Sequence, residues 1–388
     1  MIVRCVHLLL GSVALPYLTR AFVPLASSPQ SFRSLLSDGL SSRGKVTPPV
    51  SVRSAEETET GDAPRRVVFL GTPEVAARSL ELLLKAAPEN NFQVVAVVSN
   101  PPAPAPSPVQ VKAMQNGLEV LTPLKPNEAD FLEKIKALQP DLCVTAAYGG
   151  FLPQKFLDIP KYGTMNIHPS LLPKWRGAAP LQRSLEAGDE KLGVSVVRTV
   201  LKMDAGPLLR QETWENDQTT KGPDLLMNMF ERGTEMLLSC LREDGWDCEG
   251  SPQDESSASK ADKLTVEEAE MDFEKMSAQQ VHNKVRAFSG WPGTWASFAV
   301  GEVPDLEMQR VKVVTTELPE DKPVAPEGVS PKRLVLDKKR GVLKLWCGDG
   351  SCVLLKELTP ANKKAVDARS YWNGLRGRPV EWSGPIPL

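Results

Sequence analysis

Histidine is scarce in this chain of 388 residues, which contains only three histidines among 46 lysines and arginines and 48 aspartates and glutamates. The formal net charge is −2 and the calculated pI is about 6.1. The chain therefore lacks the overall basic field that points to nucleic acid, although a local basic face can bind nucleic acid alone.

Cysteine is also rare, and its spacing argues against both a disulfide-stabilised fold and a zinc-binding fold. The six cysteines are scattered and form no CxxC pair: Cys5, Cys143, Cys240, Cys248, Cys347 and Cys352. Such a pattern does not build a disulfide framework in a chain this long. The clustered cysteine and histidine ligands of a zinc site are missing too. We therefore expect reduced, structural thiols and no metal.

Two common catalytic motifs and any long hydrophobic run are absent. The turn at residues 71–73 reads GTP instead of GxGxxG, which makes a dinucleotide site a weak hypothesis. No GxSxG elbow is present, so a covalent serine intermediate is not expected. The apolar stretch at residues 6–18 is short and contains Pro16, so it does not span a bilayer. We expect no membrane contact in the mature protein.

The first 64 residues have the composition of targeting segments. Residues 6–18 are typical of the apolar region of a signal peptide, and residues 25–54 are rich in Ser, Arg and Pro with Asp38 as the sole acidic residue. This order resembles the bipartite presequence of plastids acquired by secondary endosymbiosis, with Phe22 after the cleavage point. We predict a disordered plastid presequence and linker over residues 1–64. A mitochondrial presequence and a secreted protein with a disordered stalk are the alternatives.

From Arg65 onward the pattern alternates between strands and helices. Residues 67–70 and 92–98 are apolar runs, and residues 75–85 between them have helical spacing. This βαβ unit predicts an α/β domain at residues 65–250 with a doubly wound, mostly parallel sheet. A polar linker is predicted at residues 251–270. Short strands beyond it predict a small antiparallel, OB-like β-barrel at residues 271–388.

Three polar residues in the first domain form a candidate catalytic set. His168 follows a predicted parallel strand, at the edge where open α/β sheets bind ligands. Asn166 lies two residues earlier on the same face, and its amide can donate to a developing oxyanion. Asp204, on a loop between two predicted strands, can stabilise a protonated imidazole. Donor, base and electrostatic support together predict acyl transfer to an external amine.

The stretch at residues 163–209 resembles the formyltransferases that use 10-formyltetrahydrofolate, and among them those that act on methionyl-tRNA. Its NxHxSLLPxxRGxAP motif is followed in order by Gly-Asp at 188–189, Gly-Val-Ser at 193–195 and Asp-x-Gly at 204–206. The segments FLGTP, AAYGGFLP, ADKLTVEEAEMDF, RAFSGWPGTW and LLKELTPANKKAV extend the resemblance over residues 65–378.

The resemblance implies formyl transfer from 10-formyltetrahydrofolate to the α-amine of initiator methionyl-tRNA, without metal, by a monomer serving organellar translation. It implies Asn166, His168 and Asp204 as the catalytic residues. The implied folate contacts are Ser170, Leu171, Leu172, Pro173, Ala147, Tyr148, Gly149, Gly150 and Leu152. The implied substrate contacts are Arg176, Gly71, Thr72, Pro73, Lys363 and Lys364. Arg176 either favours an anionic group or ties its loop to a carbonyl.

One segment departs from the family. Residues 100–109 read NPPAPAPSPV, where the bacterial enzymes carry basic residues that probe the tRNA acceptor end. Phosphate contacts depend on Lys and Arg, so tRNA would have to be held elsewhere. The candidates lie in the second domain: Lys332, Arg333, Lys338, Lys339, Arg340, Lys363 and Lys364. The other interpretation of these charges is a solvated barrel surface.

Alternative functions share parts of this pattern. A formyltransferase for a sugar amine or a purine precursor, or a formylfolate hydrolase, would use the same three residues, and the matches in the C-terminal domain argue against both. A non-enzymatic folate- or tRNA-binding protein would be favoured by loss of His168 or Asp204. Both residues are present.

Overall fold

The computed structural model describes residues 63–384, so the predicted presequence lies outside them except for residues 63 and 64. A seven-stranded sheet organises the first half, in the order β3-β2-β1-β4-β5-β7-β8. Its strands are β1 (Arg65–Gly71), β2 (Phe92–Val98), β3 (Glu119–Leu121), β4 (Leu142–Ala146), β5 (Thr164–His168), β7 (Lys191–Arg198) and β8 (Leu208–Glu215). The first five pair in parallel, while β7 and β8 are antiparallel. The predicted mostly parallel sheet is confirmed.

Helices cover both faces of this sheet. They are α1 (Glu74–Ala86), α2 (Pro108–Gln115), α3 (Ala129–Ala137), α4 (Gln154–Leu157), α5 (Pro180–Ala187) and α6 (Gly222–Glu243). In β1, Phe69 packs into the apolar cluster that includes α1 and α6, and Leu70 packs into the cluster that includes α3 and α4. Because successive side chains of a strand point to opposite faces, a strand buried on both sides reads as a continuous apolar run. The doubly wound arrangement is confirmed.

Local hydrogen bonds explain where some helices begin. The Ser107 hydroxyl accepts from Gln110 N, and Gln110 Oε1 accepts from Ser107 N, which forms a capping box at the start of α2. Ser277 and Gln280 make the same pair of bonds at the start of α7 (Ala278–Ala287). Within residues 63–384, no helix is both long and apolar enough to cross a membrane.

The second half contains an antiparallel sheet in the order β12-β13-β14-β11-β10-β16, with β15 paired to β14. Its elements are β10 (Thr294–Val300), β11 (Glu307–Glu317), β12 (Val335–Asp337), β13 (Val342–Trp346), β14 (Cys352–Pro360), β15 (Val366–Asp367), α8 (Ala368–Gly374) and β16 (Val380–Trp382). The ends of the sheet approach each other, since Leu334 N donates to Val380 O and Trp382 N donates to Lys332 O. The sheet is therefore a curled half-barrel, in agreement with the antiparallel barrel predicted for the second domain.

The segment predicted as a polar linker packs against loops of the first sheet. Its strand β9 (Lys260–Ala261) pairs in parallel with β6 (Arg176–Gly177), and Ser251 forms an antiparallel bridge with Leu208. We call residues 251–261 the strap. The strap binds two loops that follow different strands of the sheet.

A buried arginine holds the loop after β8 against α7. The Arg286 side chain is 2% exposed. Its Nη2 donates to Asn216 Oδ1 at 2.9 Å, its Nε donates to Thr220 O at 3.1 Å, and Asp217 lies 3.7 Å away as a counter-charge. Buried charge is tolerated because it is paired and hydrogen-bonded. The two sheets are thereby joined by a polar contact.

His282 completes this junction. Its Nε2 donates to Gln218 O at 2.8 Å, and its Nδ1 lies 2.9 Å from Thr316 Oγ1. A carbonyl only accepts, so Nε2 carries the proton and Nδ1 accepts from the hydroxyl in the neutral ring. Burial, with the positive charge of Arg286 nearby, lowers the pKa of His282 below its usual value.

We predict that acid destabilises the protein through His282. Below the usual histidine pKa of about 6.5 the unfolded chain binds a proton that the folded chain does not, so stability falls as pH falls through this value. The slope is at most about 1.4 kcal/mol per pH unit. Melting temperatures measured from pH 7.5 to 5.5 should fall in the native chain and change less in His282→Gln. Equal pH dependence in both proteins would contradict this assignment.

Candidate active site

The three predicted catalytic residues come together beside β5 of the first sheet. Strands β4 and β5 are neighbours, and Thr145 pairs in register with Asn166. Asn166 and His168 occupy the third and last positions of β5. Asp204 lies on the loop between β7 and β8. The carboxyl end of β5, at His168, is the edge at which parallel sheets bind ligands.

Asn166 is oriented by its neighbour on β4. The Thr145 hydroxyl donates to Asn166 Oδ1 at 2.8 Å. That bond fixes which end of the amide faces the cleft, and Asn166 Nδ2 lies 3.5 Å from Asp204 Oδ1. The Nδ2 group of Asn166 is therefore directed toward the Asp204 carboxylate.

His168 is buried and held by a main-chain oxygen. Its side chain is 5% exposed, and Nε2 lies 2.9 Å from Trp175 O. Because a carbonyl accepts hydrogen bonds and does not donate them, Nε2 carries the proton in the neutral ring. The lone pair is then on Nδ1, which lies 3.7 Å from Asp204 Oδ1. Nδ1 is the nitrogen available to take a proton.

Asp204 has a backbone conformation that needs support. Its φ of +48° lies in the left-handed region, which is uncommon outside glycine but tolerated by aspartate. Gly177 N donates to Asp204 Oδ2 at 3.0 Å. Gln253 Nε2 donates to Asp204 O at 2.9 Å and to Gly206 O at 2.8 Å. A Cβ at Gly206 would collide with Arg198 O, so the Asp-x-Gly motif places glycine where the loop returns against β7.

Asn166 and His168 converge on one carboxylate oxygen of Asp204. Asn166 Nδ2 and His168 Nδ1 lie 3.5 and 3.7 Å from Asp204 Oδ1, although Asp204 is 38 residues away from Asn166 in sequence. The site therefore combines an amide donor, an imidazole with a free nitrogen and a negative charge. These groups can remove a proton from an amine and stabilise an oxyanion.

The turn assigned to folate, residues 170–173, is held from below by β7 and β8. The buried Ser195 hydroxyl donates to Ser170 O at 2.7 Å and accepts from Leu172 N at 3.2 Å. Gln211 Nε2 donates to Ser195 Oγ and to Leu172 O. At Gly193 a Cβ would collide with the Leu171 side chain, so the Gly-Val-Ser motif packs beneath this turn. Pro173 O accepts from Ser259 N in the strap.

The other loop assigned to folate follows β4, so the two loops leave adjacent strand ends. Ala147 and Gly149 have φ values of +46° and +76°, and a Cβ at Gly149 would meet open space. Burial raises the pKa of Tyr148 to about 12, so its hydroxyl stays neutral. Gly150 packs against the Tyr148 ring, and Leu152 is buried. The main chain of the loop is therefore uncovered at Gly149.

The first predicted substrate contacts lie next to this edge. Gly71, at the end of β1, packs against Ala76 and Ala146 O, Thr72 Oγ1 accepts from Asn100 N at 3.3 Å, and Pro73 is the N-cap of α1.

Arg176 has protein partners for its guanidinium. It donates to Gln253 Oε1 at 2.7 and 3.1 Å and to the Glu255 carboxylate at 3.1 Å. Of the two interpretations, these contacts match an arginine that ties its loop, here to an amide and a carboxylate.

The basic candidates of the second domain are not gathered with the catalytic trio. Lys363 and Lys364 are exposed in the turn between β14 and β15. Lys332 lies 3.3 Å from Glu274, and Arg340 pairs with Glu317. Lys338, Lys339 and part of Arg333 are accessible near β12.

Sequence reasoning assigned no role to three residues that hold the site together, although Ser195 stood in the Gly-Val-Ser motif. Thr145, Ser195 and Gln253 make direct contacts to the trio or its turn. Thr145 gave a signal, because it is the only hydroxyl in the buried strand LCVTA. Gln253 gave none, since it lies in a polar stretch that predicts a linker. In residues 63–384 no group of three or more His, Cys, Asp or Glu side chains is placed to hold a metal ion.

Two family models match most of the described chain. A family model described as formyl transferase matches residues 65–240, and the formyl transferase C-terminal domain model matches residues 263–376. An N-formyltransferase from Helicobacter canadensis, solved with folinic acid and dTDP-3-aminofucose, has a TM-score of 0.55 at 16% identity and covers 76% of this chain and 99% of that one. Fold and site therefore define an enzyme of the formyltransferase class.

Two relatives show to which formyltransferase family the chain belongs. Methionyl-tRNA formyltransferase from Saccharopolyspora erythraea is 36% identical over 321 residues, covering 80% of this chain and 97% of the relative. The protein of the same name from Rhodococcus erythropolis is 37% identical over 322 residues, with 80% and 97% covered. The chain belongs to the methionyl-tRNA formyltransferase family.

Proposed function

We propose that this enzyme transfers a formyl group from 10-formyltetrahydrofolate to the α-amine of initiator methionyl-tRNA. The observation that supports it most directly is the convergence of Asn166 and His168 on the Asp204 carboxylate. The identity of 36% over nearly the full length of a named relative supports the acceptor. The fold alone does not distinguish acceptors, because the Helicobacter enzyme was solved with an amino sugar nucleotide.

His168 acts as the base in the proposed mechanism. As the amine of the acceptor attacks the formyl carbon, Nδ1 takes its proton, because Nε2 is engaged by Trp175 O. The bond from the formyl carbon to the folate nitrogen then breaks, and this nitrogen takes the proton from Nδ1 as tetrahydrofolate leaves. The imidazolium that forms lies 3.7 Å from Asp204 Oδ1, and the negative charge stabilises it. Burial of both side chains strengthens this interaction relative to water.

Asn166 stabilises the negative oxygen of the tetrahedral intermediate. Thr145 holds its Oδ1, so Nδ2 is already turned toward the cleft before reaction. A donor fixed in advance needs no reorganisation as charge develops, which makes such groups effective in catalysis.

We propose that the folate donor binds at the two loops beside these three residues. When bound, it supplies an activated formyl group attached to nitrogen. We propose that Ser170, Leu171, Leu172 and Pro173 shape one wall, and that main chain near Ala147, Tyr148, Gly149, Gly150 and Leu152 binds the pterin edge. Because Ser170 and Leu172 are buried, they act by fixing the turn, with Ser195 and Gln211 beneath it.

We predict that Asn166→Ala lowers kcat by about 10²- to 10³-fold, since one oxyanion donor is lost. Asp204→Asn keeps the shape but removes the charge, and it should also lower kcat. The measurement is formylation of charged initiator tRNA by the chain from Arg65 onward. The His168→Ala variant is measured in parallel. The control is Asn228→Ala, an exposed asparagine on α6.

The acceptors separate this function from its alternatives. Methionyl-tRNA, uncharged tRNA and a sugar amine are compared at the same folate concentration. If the native chain formylates only the small amine, the tRNA assignment fails although the chemistry stands. Release of formate without any acceptor would favour a formylfolate hydrolase, and full activity in His168→Ala would contradict the mechanism.

We propose that the second domain supplies the phosphate contacts that residues 100–109 lack. Lys363 and Lys364 are exposed on one turn, and among the described residues neither forms an ion pair within 4.0 Å. Free ammonium groups on a turn can neutralise phosphates at little cost.

We predict that Lys363→Gln/Lys364→Gln weakens tRNA binding and lowers the slope of log K against log salt by about 1 per lysine. Binding is measured between 50 and 200 mM salt. The matched control is Lys134→Gln/Lys136→Gln, two exposed lysines on α3. The double variant of Lys338 and Lys339 tests the neighbouring candidates. An unchanged slope in Lys363→Gln/Lys364→Gln excludes that turn.

We propose that the enzyme is a monomer that works in a plastid, with the mitochondrion as the alternative. The signal-like and transit-like composition of residues 1–64 supports this address, and initiator formylation belongs to bacterial-type translation in organelles.

We predict that residues 1–64 carry a fluorescent protein into the plastid of a cell with a secondary plastid, and that removal of residues 1–21 prevents it. Microscopy of both fusions is the measurement. Fluorescence confined to mitochondria favours the alternative, and secretion contradicts both.

A further inference from the structure

The strap places one glutamine between the two loops that support the proposed catalytic residues. We propose that Gln253 is a positioning residue for Asp204, holding its left-handed backbone so that the carboxylate faces Asn166 and His168. This inference rests on the proposed function, because it assigns a role within that site.

Both donors of the Gln253 amide are used on the loop of Asp204. Nε2 donates to Asp204 O at 2.9 Å and to Gly206 O at 2.8 Å. These two carbonyl groups belong to the turn in which Asp204 has a φ of +48°. A non-glycine residue in this region is uncommon and persists where its surroundings enforce it.

The acceptor of the same amide is used on the opposite loop. Gln253 Oε1 accepts from Arg176 Nε and Nη2 at 3.1 and 2.7 Å. The next residue, Gly177, donates its N–H to Asp204 Oδ2 at 3.0 Å. Gln253 therefore fixes the main chain of Asp204 directly, and through Arg176 it fixes the strand that binds the carboxylate.

Only an amide of this length meets both requirements. A glutamate could still accept from Arg176, but it would place negative oxygen against the carbonyls of Asp204 and Gly206. A methionine fills similar space and makes neither set of bonds. These two substitutions separate the donor function from simple packing.

Other contacts join the same loops, so the fold does not depend on Gln253 alone. Glu255 accepts from Arg176 at 3.1 Å and from Lys202 at 2.6 Å. These hydrogen bonds hold the pKa of Glu255 at about 2, so it is ionised at neutral pH. Ser259 adds main-chain bonds to Pro173 and Arg176. Loss of Gln253 should thus loosen the Asp204 turn while the strap stays in place.

The test compares Gln253→Met and Gln253→Glu in the full chain with Gln279→Met. Gln279 makes one side-chain bond, to Asn283 on α7, and is the matched control. With 10-formyltetrahydrofolate and methionyl-tRNA, we expect kcat to fall 10- to 100-fold in both Gln253 variants. Both KM values should stay within twofold, and Gln279→Met should match the native chain.

A double-mutant comparison distinguishes positioning from general stability. If Gln253 acts through Asp204, Gln253→Met should cost little further activity in an Asp204→Asn background, because interacting residues are not additive. Hydrogen exchange of the Gly177 amide, which is read without any catalysis, should accelerate in Gln253→Met and stay slow in Gln279→Met.

Several results would overturn the proposal. They are native kcat in Gln253→Glu, full additivity with Asp204→Asn, or raised KM values and a lower melting temperature at unchanged kcat. If the native chain prefers a small amine over methionyl-tRNA, the tRNA assignment fails, and the same kcat and exchange comparisons with that amine still decide the role of Gln253.

Discussion

The site depends on one largely buried carboxylate held in place by main-chain groups. Asp204 has a side chain that is 16% exposed and faces both Asn166 and His168. Removing a charge from water is costly unless hydrogen bonds replace the lost hydration. Gly177 N–H supplies one such bond, and Gln253 fixes the backbone on which the carboxylate is mounted. Asn166 and His168 share a partner only because Asp204 is held in this position.

The two antiparallel strands at one end of the first sheet help to hold Asp204 in position. Strand β7 runs antiparallel beside β5, with Met165 opposite Arg198 and His168 opposite Ser195, so the loop after β7 begins at the amino end of β5. That loop folds back and brings Asp204 beside Asn166 and His168. A purely parallel continuation would have carried that loop away through a helix. The strap then crosses from this loop to the one that follows β5. The strap thereby joins two separate connections beside the three residues, whereas the junction at Arg286 and His282 joins the sheets by independent contacts.

Much of the fold could be predicted because its signals are local. The apolar runs of β1 and β2, the spacing of α1 and the short strands after residue 290 each follow from neighbouring residues. Asn166 and His168 share a face because side chains alternate along a strand. The strap was different: the Gln253 contact to Asp204 joins residues 49 apart, and its polar sequence is typical of a linker. Composition does not reveal what a polar side chain will bind.

The amino-acid sequence by itself determined the class of fold, the two-part organisation from Arg65 onward and the motif that contains Asn166, His168 and Asp204. The tertiary structure alone decided that Thr145 turns the amide, that Trp175 O leaves Nδ1 of His168 free, and that Arg176 is engaged by Gln253 and Glu255. The physical reason is the separation along the chain of the residues that make each contact. Periodicity and motifs record contacts between near neighbours, while the direction of a hydrogen bond depends on strand register and on where distant loops return.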